Sequence, residues 1–366
     1  MDRNKQIIRV SIVGILANVL LAGFKALVGL LSGAIAIVMD AVNNLSDALS
    51  SVITIVGTKL SARPRDQKHP FGHGRVEYLS AIVISLIVFA AGITSLVESV
   101  KKIVHPSTPS YTTLTLIVIV VAIAVKLLLG LFVKRQGKSL KSDALIASGA
   151  DALFDAIVTL STLISAGIML IWGVNLDGIF GTVISLVIIK AGVEMLASPL
   201  GELLGSRIPP ELTQQIKDKA LSFSPVHGVY DIIVNSYGPN TLIGSLHVSV
   251  DETMTARELH LLTRSMAEAI YRDFGIIMTI GIYADYTGDT TEARLQQDVM
   301  NYLAQRPDVA QAHAFYYYAD QHLVTIDIMP DDSVKDASAF AGTMNSDLQA
   351  RFPDYRFNVV VDFNYS

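Results

Sequence analysis

The 366-residue chain contains no cysteine. Neither a disulfide framework nor a thiolate metal site can therefore form, and any metal held by side chains must use oxygen or imidazole ligands. Charged residues are also scarce, at 17%, whereas soluble globular chains carry about 25%. Hydrophobic residues reach 51%. This balance argues against an ordinary soluble domain and indicates a membrane protein.

Several catalytic signatures are missing as well. The sequence has no G-x-S-x-G, H-E-x-x-H or Walker motif, which argues against a serine hydrolase, a zinc protease or an ATP-driven pump. We therefore expect no enzymatic activity and no resident cofactor. Nothing in the chain predicts binding to nucleic acid.

Six apolar runs each reach the roughly 20 residues that a helix needs to cross a bilayer. They cover residues 7–30, 34–55, 76–97, 112–133, 144–172 and 179–200. The first run is longer than the apolar region of a signal peptide and lacks a small-residue cleavage site, so we expect it to remain in the mature chain. The sequence predicts a six-helix transmembrane bundle over residues 1–205.

Basic residues flank the predicted helices asymmetrically. They concentrate at the start of the chain, between helices two and three, and between helices four and five. Lys101 and Lys102 give a modest signal on the opposite side. Because positive loops stay in the cytoplasm, we expect both termini to be cytoplasmic. The expected location is a bacterial plasma membrane, with the lipid bilayer as a partner.

The character of the chain changes near residue 205. Up to that point 17 basic residues face 12 acidic ones, a net charge of +5, and beyond it 11 face 21, a net charge of −10. The acidic tail alternates polar and apolar residues, and its predicted order of helix, strand, strand, helix, strand occurs twice. We predict two tandem α+β domains of the ferredoxin-like kind, at 206–288 and 289–366.

Two polar pairs interrupt the apolar runs: Asn43 with Asp47, and Asp151 with Asp155. Residues four apart share one face of a helix, so each pair points in one direction. An ionisable side chain at bilayer depth costs several kcal/mol by most accounts, which makes a functional role the default hypothesis. The alternative is that the pairs only form hydrogen bonds between helices or lie at a solvated helix end.

The depth of the two pairs favours a joint site. Asp47 lies 12 residues before Lys59, and Asp151 lies 10 after Lys141, which places them roughly 18 and 15 Å from the basic cytoplasmic ends. The second member of each pair is about 6 Å deeper. Packing of helix two on helix five would gather one amide oxygen and three carboxylates, a ligand set for a divalent metal.

We expect the lysines in the predicted helices to have structural roles. Lys25 and Lys126 are expected to extend their ammonium groups to the interface from nearby helix ends. Lys190 and Glu194 are four apart and are expected to pair.

A second polar group, Asp66, His69 and His73, lies in the loop before helix three. Carboxylate and imidazole at this spacing can chelate a divalent ion on a tight turn that Gly72 and Gly74 permit. The alternative is a capping and packing role, with solvated histidines.

These motifs resemble the cation diffusion facilitator family, which consists of six-helix exporters of divalent metals with a cytoplasmic ferredoxin-like domain. The resemblance covers residues 5–287 and rests on HPFGHGRVEYLSA at 69–81, DAVNNLSD at 40–47 and the acid pair of helix five. It implies metal–proton antiport, a homodimer, and an accessory metal site at the three loop residues. The second tail domain goes beyond the usual family pattern.

Ligand chemistry favours manganese as the transported ion. The quartet offers only oxygen, which suits Mn²⁺, Mg²⁺ or Fe²⁺ better than Zn²⁺. By resemblance, zinc-transporting members commonly carry a histidine in this quartet, and Asn43 is similar to the manganese type. Export of Zn²⁺ or Fe²⁺ remains an alternative, as does a membrane metal sensor that does not transport.

The resemblance also implies a metal site in the first tail domain. Two of its expected histidines are Tyr230 and Tyr283 here, which leaves a reduced set of ligands: His247, His260 and Asp285. Roughly equivalent positions in the second tail domain suggest another site. Its residues are His313, Asp327 and Asp362.

Overall fold

A computed structural model describes residues 3–32, 35–105, 113–172, 176–239 and 241–362. Six long helices precede residue 205, close to the apolar runs of the sequence. They are α1 (Arg3–Ser32), α2 (Ile35–Ser61), α3 (Val76–Val104), α4 (Thr113–Ser139), α5 (Asp143–Trp172) and α6 (Asp177–Leu204).

Five of these helices are long and apolar enough, within the described ranges, to cross a membrane. The exception is α2, whose polar residues Asn43, Asn44 and Asp47 lower its hydropathy. The structure thus supports a helical membrane region with five candidate spans, and a crossing by α2 stays a prediction.

Close helix pairs build this region: α3 packs on α6, α4 on α5, and α1 on α2. Glycine makes the approach of α4 and α5 possible, since a Cβ at Gly149 would lie 2.5 Å from the backbone nitrogen of Lys134. In α6, a Cβ at Gly192 would lie 3.0 Å from the Cα of Phe89 on α3. Small residues have this role in membranes because lipid supplies no hydrophobic force that brings helices together.

One arginine joins the ends of several helices. Arg3 donates to both carboxylate oxygens of Glu77, at 2.9 and 2.7 Å, and to the backbone oxygens of Leu140 and Lys141. A two-point contact of this kind is among the stronger charged hydrogen bonds. It links the start of α1 to the start of α3 and to the turn between α4 and α5.

The tail repeats one order of elements, as the sequence predicts. The first half contains α7 (Pro210–Leu221), β1 (Gly228–Ser236), β2 (Leu242–Asp251), α8 (Ala256–Phe274) and β3 (Ile276–Asp285). The second half contains α9 (Thr291–Ala304), β4 (Val309–Tyr318), β5 (Leu323–Pro330), α10 (Ala337–Arg351) and β6 (Arg356–Val361).

Each half has its own sheet and its own core. The strand orders are β1-β2-β3 and β4-β5-β6, with β3 parallel to β2 and β6 parallel to β5. Leu246 and Met266 are fully buried in the first core, and Ile326 and Met344 in the second. The central strand of each sheet therefore packs on the helix that follows it.

Local capping explains where the tail helices begin. Thr255 accepts a hydrogen bond from the backbone of Glu258, whose carboxylate accepts from Thr255 in return. Thr290 and Asp336 accept in the same way at the starts of α9 and α10. These side chains satisfy backbone N–H groups that the first helical turn leaves without partners.

By its contacts the chain divides into two compact units. The first comprises residues 1–206 with 236–241, and the second comprises 207–235 with 242–366. Both halves of the tail thus belong to one unit.

The packing of α4 on α5 predicts that alanine substitutions at two glycines of α5 will change the melting temperature differently. Gly149→Ala should lower the apparent melting temperature in detergent, because overpacking against a neighbouring backbone costs about 1–3 kcal/mol. Gly167→Ala on the same helix is the control, since among the described residues no atom outside its own helix backbone and chain neighbours lies within 4 Å of its added Cβ and alanine favours a helix by about 1 kcal/mol. Circular dichroism during heating measures both, and equal melting temperatures would contradict the tight contact.

Candidate metal sites

Two of the predicted transport-site acids meet at one lysine inside the helical region. Asp47 on α2 and Asp155 on α5 both accept hydrogen bonds from Nζ of Lys126 on α4, at 2.5 and 2.8 Å. Lys126 is only 4% exposed. A positive charge therefore lies between two carboxylates from different helices.

The third acid lies beside the same cavity. Asp151 accepts a long hydrogen bond of 3.5 Å from Oγ of Ser50 on α2. A small cavity lined by Asn18, Asp47, Lys126 and Asp151, among others, has room for about one water molecule. The carboxylates of α2 and α5 thus border one polar space.

The structure places the predicted quartet as follows. Asp47 and Asp155 share Lys126, Asp151 borders the same cavity, and the side chain of Asn43 lies outside the described residues. Within the described part, the three carboxylates are not gathered around a single point that an ion could fill. The ammonium group of Lys126 lies there instead.

The expectation that Lys25 and Lys126 reach the interface is wrong. Their exposures are 3% and 4%, and Lys126 stands at the midpoint of α4, 13 residues from either end, or about 20 Å. This distance exceeds the reach of a lysine, and the position could have revealed the buried role. The predicted pair of Lys190 and Glu194 is confirmed at 3.7 Å.

The loop residues Asp66, His69 and His73 do come together. Nδ1 of His69 lies 3.2 Å from one carboxylate oxygen of Asp66, and Nε2 of His73 lies 3.5 Å from the other. Ligand atoms of all three fall within 4.8 Å of one another. Gly72, at φ +89°, makes the turn that allows this.

Hydrogen bonds to the backbone hold the carboxylate in place. The N–H groups of His69 and Lys68 donate to Asp66 at 2.7 and 2.9 Å. The bond from His69 is the main cause of a lowered pKa at Asp66, which keeps this carboxylate ionised. The same bonds are what a capping role requires, so metal binding in the loop stays a prediction.

The ligands proposed for the first half of the tail are not brought together. His247 lies opposite Gly281, whereas Asp285 lies opposite Asp251, four residues and about 13 Å along the strand. His260 is exposed on α8. His247 instead lies 2.8 Å from Asp231.

Asp285 has other neighbours. Its carboxylate lies 3.3 Å from Nδ1 of His227 and accepts a hydrogen bond from Gln296 at 3.1 Å.

In the second half, His313 and Asp362 are close together. Nε2 of His313 lies 3.6 Å from Asp362 and 3.0 Å from Asp231, which belongs to the first half. Asp327 lies opposite His313 in the sheet but is not one of the three residues whose ligand atoms cluster. Asp231 was missed from the sequence, where it lies inside an otherwise ordinary strand pattern.

The charge of Asp231 is set by its neighbours. Partial burial raises its pKa, but the nearby imidazole of His313 and the hydrogen bond from Tyr283 outweigh that effect and leave the pKa well below its usual value. Tyr283 donates at 2.6 Å, and its own pKa is raised by burial and by this carboxylate. Asp231 is therefore an ionised acceptor at neutral pH.

Comparison with known proteins identifies the group to which the chain belongs. A family model described as "Cation efflux transmembrane domain" matches residues 11–204, and a second one, described as "Cation efflux protein, cytoplasmic domain", matches residues 208–283. The first match alone covers more than half of the chain. The chain belongs to the cation efflux family. This is a family of transporters, and the chain is an integral membrane protein.

Individual relatives are similar over most of their length. An uncharacterised transporter of Methanocaldococcus jannaschii is 30% identical over 68% of this chain and 88% of its own. The manganese efflux system protein MneP of Bacillus subtilis is 25% identical over 76% and 95%. The cation-efflux pump FieF of Citrobacter koseri is 23% identical over 66% and 81%.

The two cation efflux matches end before the second half of the tail. The cytoplasmic match stops at residue 283, just before α9, so the repeat at 291–361 lies beyond both matched regions. Its His313 and Asp362 therefore require an explanation from this structure rather than from the family.

The loop cluster predicts one bound metal ion per chain. His73→Ala should reduce the Zn²⁺ retained by the purified protein by one equivalent, because it removes one of three converging ligands. The retention should also weaken as the pH falls, since imidazole binds metal only when unprotonated. Metal analysis after desalting measures both, with His105→Ala, an exposed histidine at the end of α3, as the control. Unchanged stoichiometry in His73→Ala would favour the capping role.

Proposed function

We propose that the protein exports a divalent metal ion, preferentially Mn²⁺, from the cytoplasm in exchange for protons. The observation that carries this proposal is the meeting of Asp47 and Asp155 at one buried cation, Lys126. Acids from two helices of a cation efflux protein thus already enclose a positive charge. A divalent ion offers the same attraction to these oxygens.

The choice of manganese depends on ligand chemistry. The proposed transport ligands are Asn43, Asp47, Asp151 and Asp155, which offer only oxygen. Oxygen ligands suit Mn²⁺ well, and the similarity to the manganese efflux protein MneP supports this choice. Export of Zn²⁺ or Fe²⁺ is the alternative, because affinity order alone places Zn²⁺ above Mn²⁺.

Exchange with protons follows from the carboxylates. Metal binds to the deprotonated acids, so its arrival releases protons and its departure lets protons return. When the site opens outward as metal leaves, an inward proton gradient supplies the protons and drives export. The acids thereby avoid an unpaired negative charge in the membrane at either stage.

Lys126 gives this cycle a third participant. Its ammonium group bonds to two proposed metal ligands, so a metal ion cannot bind both acids until Lys126 withdraws. When the metal leaves, the same group returns and neutralises the acids. We infer that Lys126 is a tethered competitor that prevents the empty site from collecting a stray cation and promotes metal release.

The proposed architecture places this site in a bilayer. All six helices cross the membrane, both termini lie in the cytoplasm, and the tail forms two ferredoxin-like domains at 206–288 and 289–366. The protein acts as a homodimer in a bacterial plasma membrane. The family matches support a membrane region at residues 11–204 and a cytoplasmic domain at residues 208–283.

Transport can be measured in liposomes with an imposed pH gradient. The wild type should move Mn²⁺ against its gradient, and Asp47→Ala or Asp155→Ala should abolish the flux because each removes a ligand and leaves Lys126 with one partner. Glu194→Ala is the matched control, since that carboxylate is exposed on α6. Fluorescence of an entrapped metal dye reports the rate.

Three outcomes would redirect this assignment. Transport of Zn²⁺ without Mn²⁺ would overturn the choice of metal. Flux that ignores the pH gradient would indicate a channel. Metal binding and a tail rearrangement without any flux would indicate a sensor.

If Lys126 competes with the metal ion, its removal should change metal binding and the rate of transport in opposite directions. Lys126→Met should tighten Mn²⁺ binding at the transport site several-fold while slowing transport, because nothing displaces the bound metal. Lys190→Met, an exposed lysine of α6, should change neither quantity. Calorimetry and liposome flux on the same preparations supply the two readouts. Weaker or unchanged binding in Lys126→Met would show that the lysine only supports the fold.

A further inference from the structure

We propose that the two halves of the tail jointly bind one divalent transition-metal ion, through Asp231 of the first half and His313 and Asp362 of the second. We name these three residues the junction site. The proposal does not depend on transport, because each of its ligands belongs to the second compact unit.

The three ligands already converge. Nε2 of His313 lies 3.0 Å from Oδ1 of Asp231 and 3.6 Å from Oδ2 of Asp362. One ligand atom of each falls within 4.8 Å of the others. Ligands about 2.0–2.2 Å from a metal ion are separated by distances of this order, so small side-chain movements would complete the coordination.

His313 shows that the site is built for more than hydrogen bonding. The residue is only 4% exposed, yet neither ring nitrogen has a hydrogen-bond partner among the described residues. Its contact with Asp231 is short but lacks the alignment of a hydrogen bond. A buried polar group without a partner destabilises the folded protein. A metal ion would satisfy Nε2.

A second imidazole lies on the other side of Asp231. Nδ1 of His247 is 2.8 Å from Oδ2 of that carboxylate, again without an aligned hydrogen bond. The ring lies over Gly281, where an added Cβ would overlap it. His247 is thus positioned either to join the metal directly or to orient the bridging carboxylate.

Tyrosine rings hold both imidazoles in place. Tyr230 stacks on His313 with ring centroids 4.8 Å apart and planes 10° apart. Tyr283 stacks on His247 at 4.6 Å and 20°, and its hydroxyl donates to Asp231. The residues that replace histidine in the family pattern thus support a site assembled from different ligands.

The ligand set indicates the class of metal. Carboxylates combined with imidazole suit Zn²⁺, Fe²⁺, Co²⁺ and Mn²⁺ better than Mg²⁺ or Ca²⁺, which prefer oxygen alone. Side-chain exposure rises from 2% at His313 through 13% at Asp231 to 37% at His247. An ion can therefore reach the buried histidine from the side of His247.

Binding at this position would join the two halves of the tail. β1 carries Asp231, whereas β4 carries His313 and Asp362 follows β6. A metal ion at the junction site would therefore bridge the two halves, each of which has its own hydrophobic core. Its gain or loss would change how firmly the halves hold together, which is the basis of a metal-responsive tail.

The test uses the full-length protein with Asp47→Ala, Asp155→Ala and His73→Ala already introduced, so that neither transport nor the loop contributes. Co²⁺ serves as the probe, because its visible absorption reports the coordination of the ion. Asp231→Asn and Asp362→Asn are the ligand variants of similar size. His260→Gln, an exposed histidine of α8, is the control.

The parent should bind one Co²⁺ at the tail with a visible spectrum and a raised melting temperature. Asp231→Asn and Asp362→Asn should each weaken that binding at least tenfold and remove the shift in melting temperature, while His260→Gln retains both. Equal Co²⁺ binding in parent and both variants, or loss of binding in His260→Gln alone, would overturn the proposal. Circular dichroism shows whether each variant is folded. If one of the two ligand variants does not fold, the other still tests the site.

Discussion

Charge balance inside the helical region determines which packing of α2, α4 and α5 is possible. Asp47 and Asp155 can both lie inside the helical region because Lys126 lies between them, and an isolated charge at bilayer depth would cost several kcal/mol. Lys126 and Asp155 lie on α4 and α5, two helices that approach closely at Gly149. Helix packing and the chemistry of the site are therefore linked. A looser interface between α4 and α5 would also separate Lys126 from Asp155.

Helix positions and the two acid pairs could be predicted from the sequence because both depend on local patterns, namely apolar runs of sufficient length and residues four apart. The partner of the acids could not be predicted in this way. Lys126 meets Asp155 across 29 residues and Asp47 across 79, and such contacts are decided by packing. Its place at the centre of α4 was a usable signal, since a lysine so far from both ends cannot reach the interface.

The tail gives a similar lesson. Its repeated order of elements could be predicted because strand and helix periodicities are local. From the sequence, each half was given its own set of metal ligands. In the structure, His247 of the first half and His313 of the second half both contact Asp231. That residue has a left-handed backbone, at φ +52°, which no simple strand pattern reveals. Separation of His247 from Asp285 follows from strand register, a property fixed only when the sheet assembles.

Because one polypeptide carries both halves of the tail, the ligands of the junction site are covalently linked to one another. Ligands that belong to separate molecules meet only at sufficient protein concentration, whereas linked ligands meet at an effective concentration set by the linker, which is millimolar for short flexible connections. A short stretch of chain between β3 and α9 connects the two halves here. Occupancy would then follow the free metal in the cell and would not vary with how many copies of the protein the membrane contains.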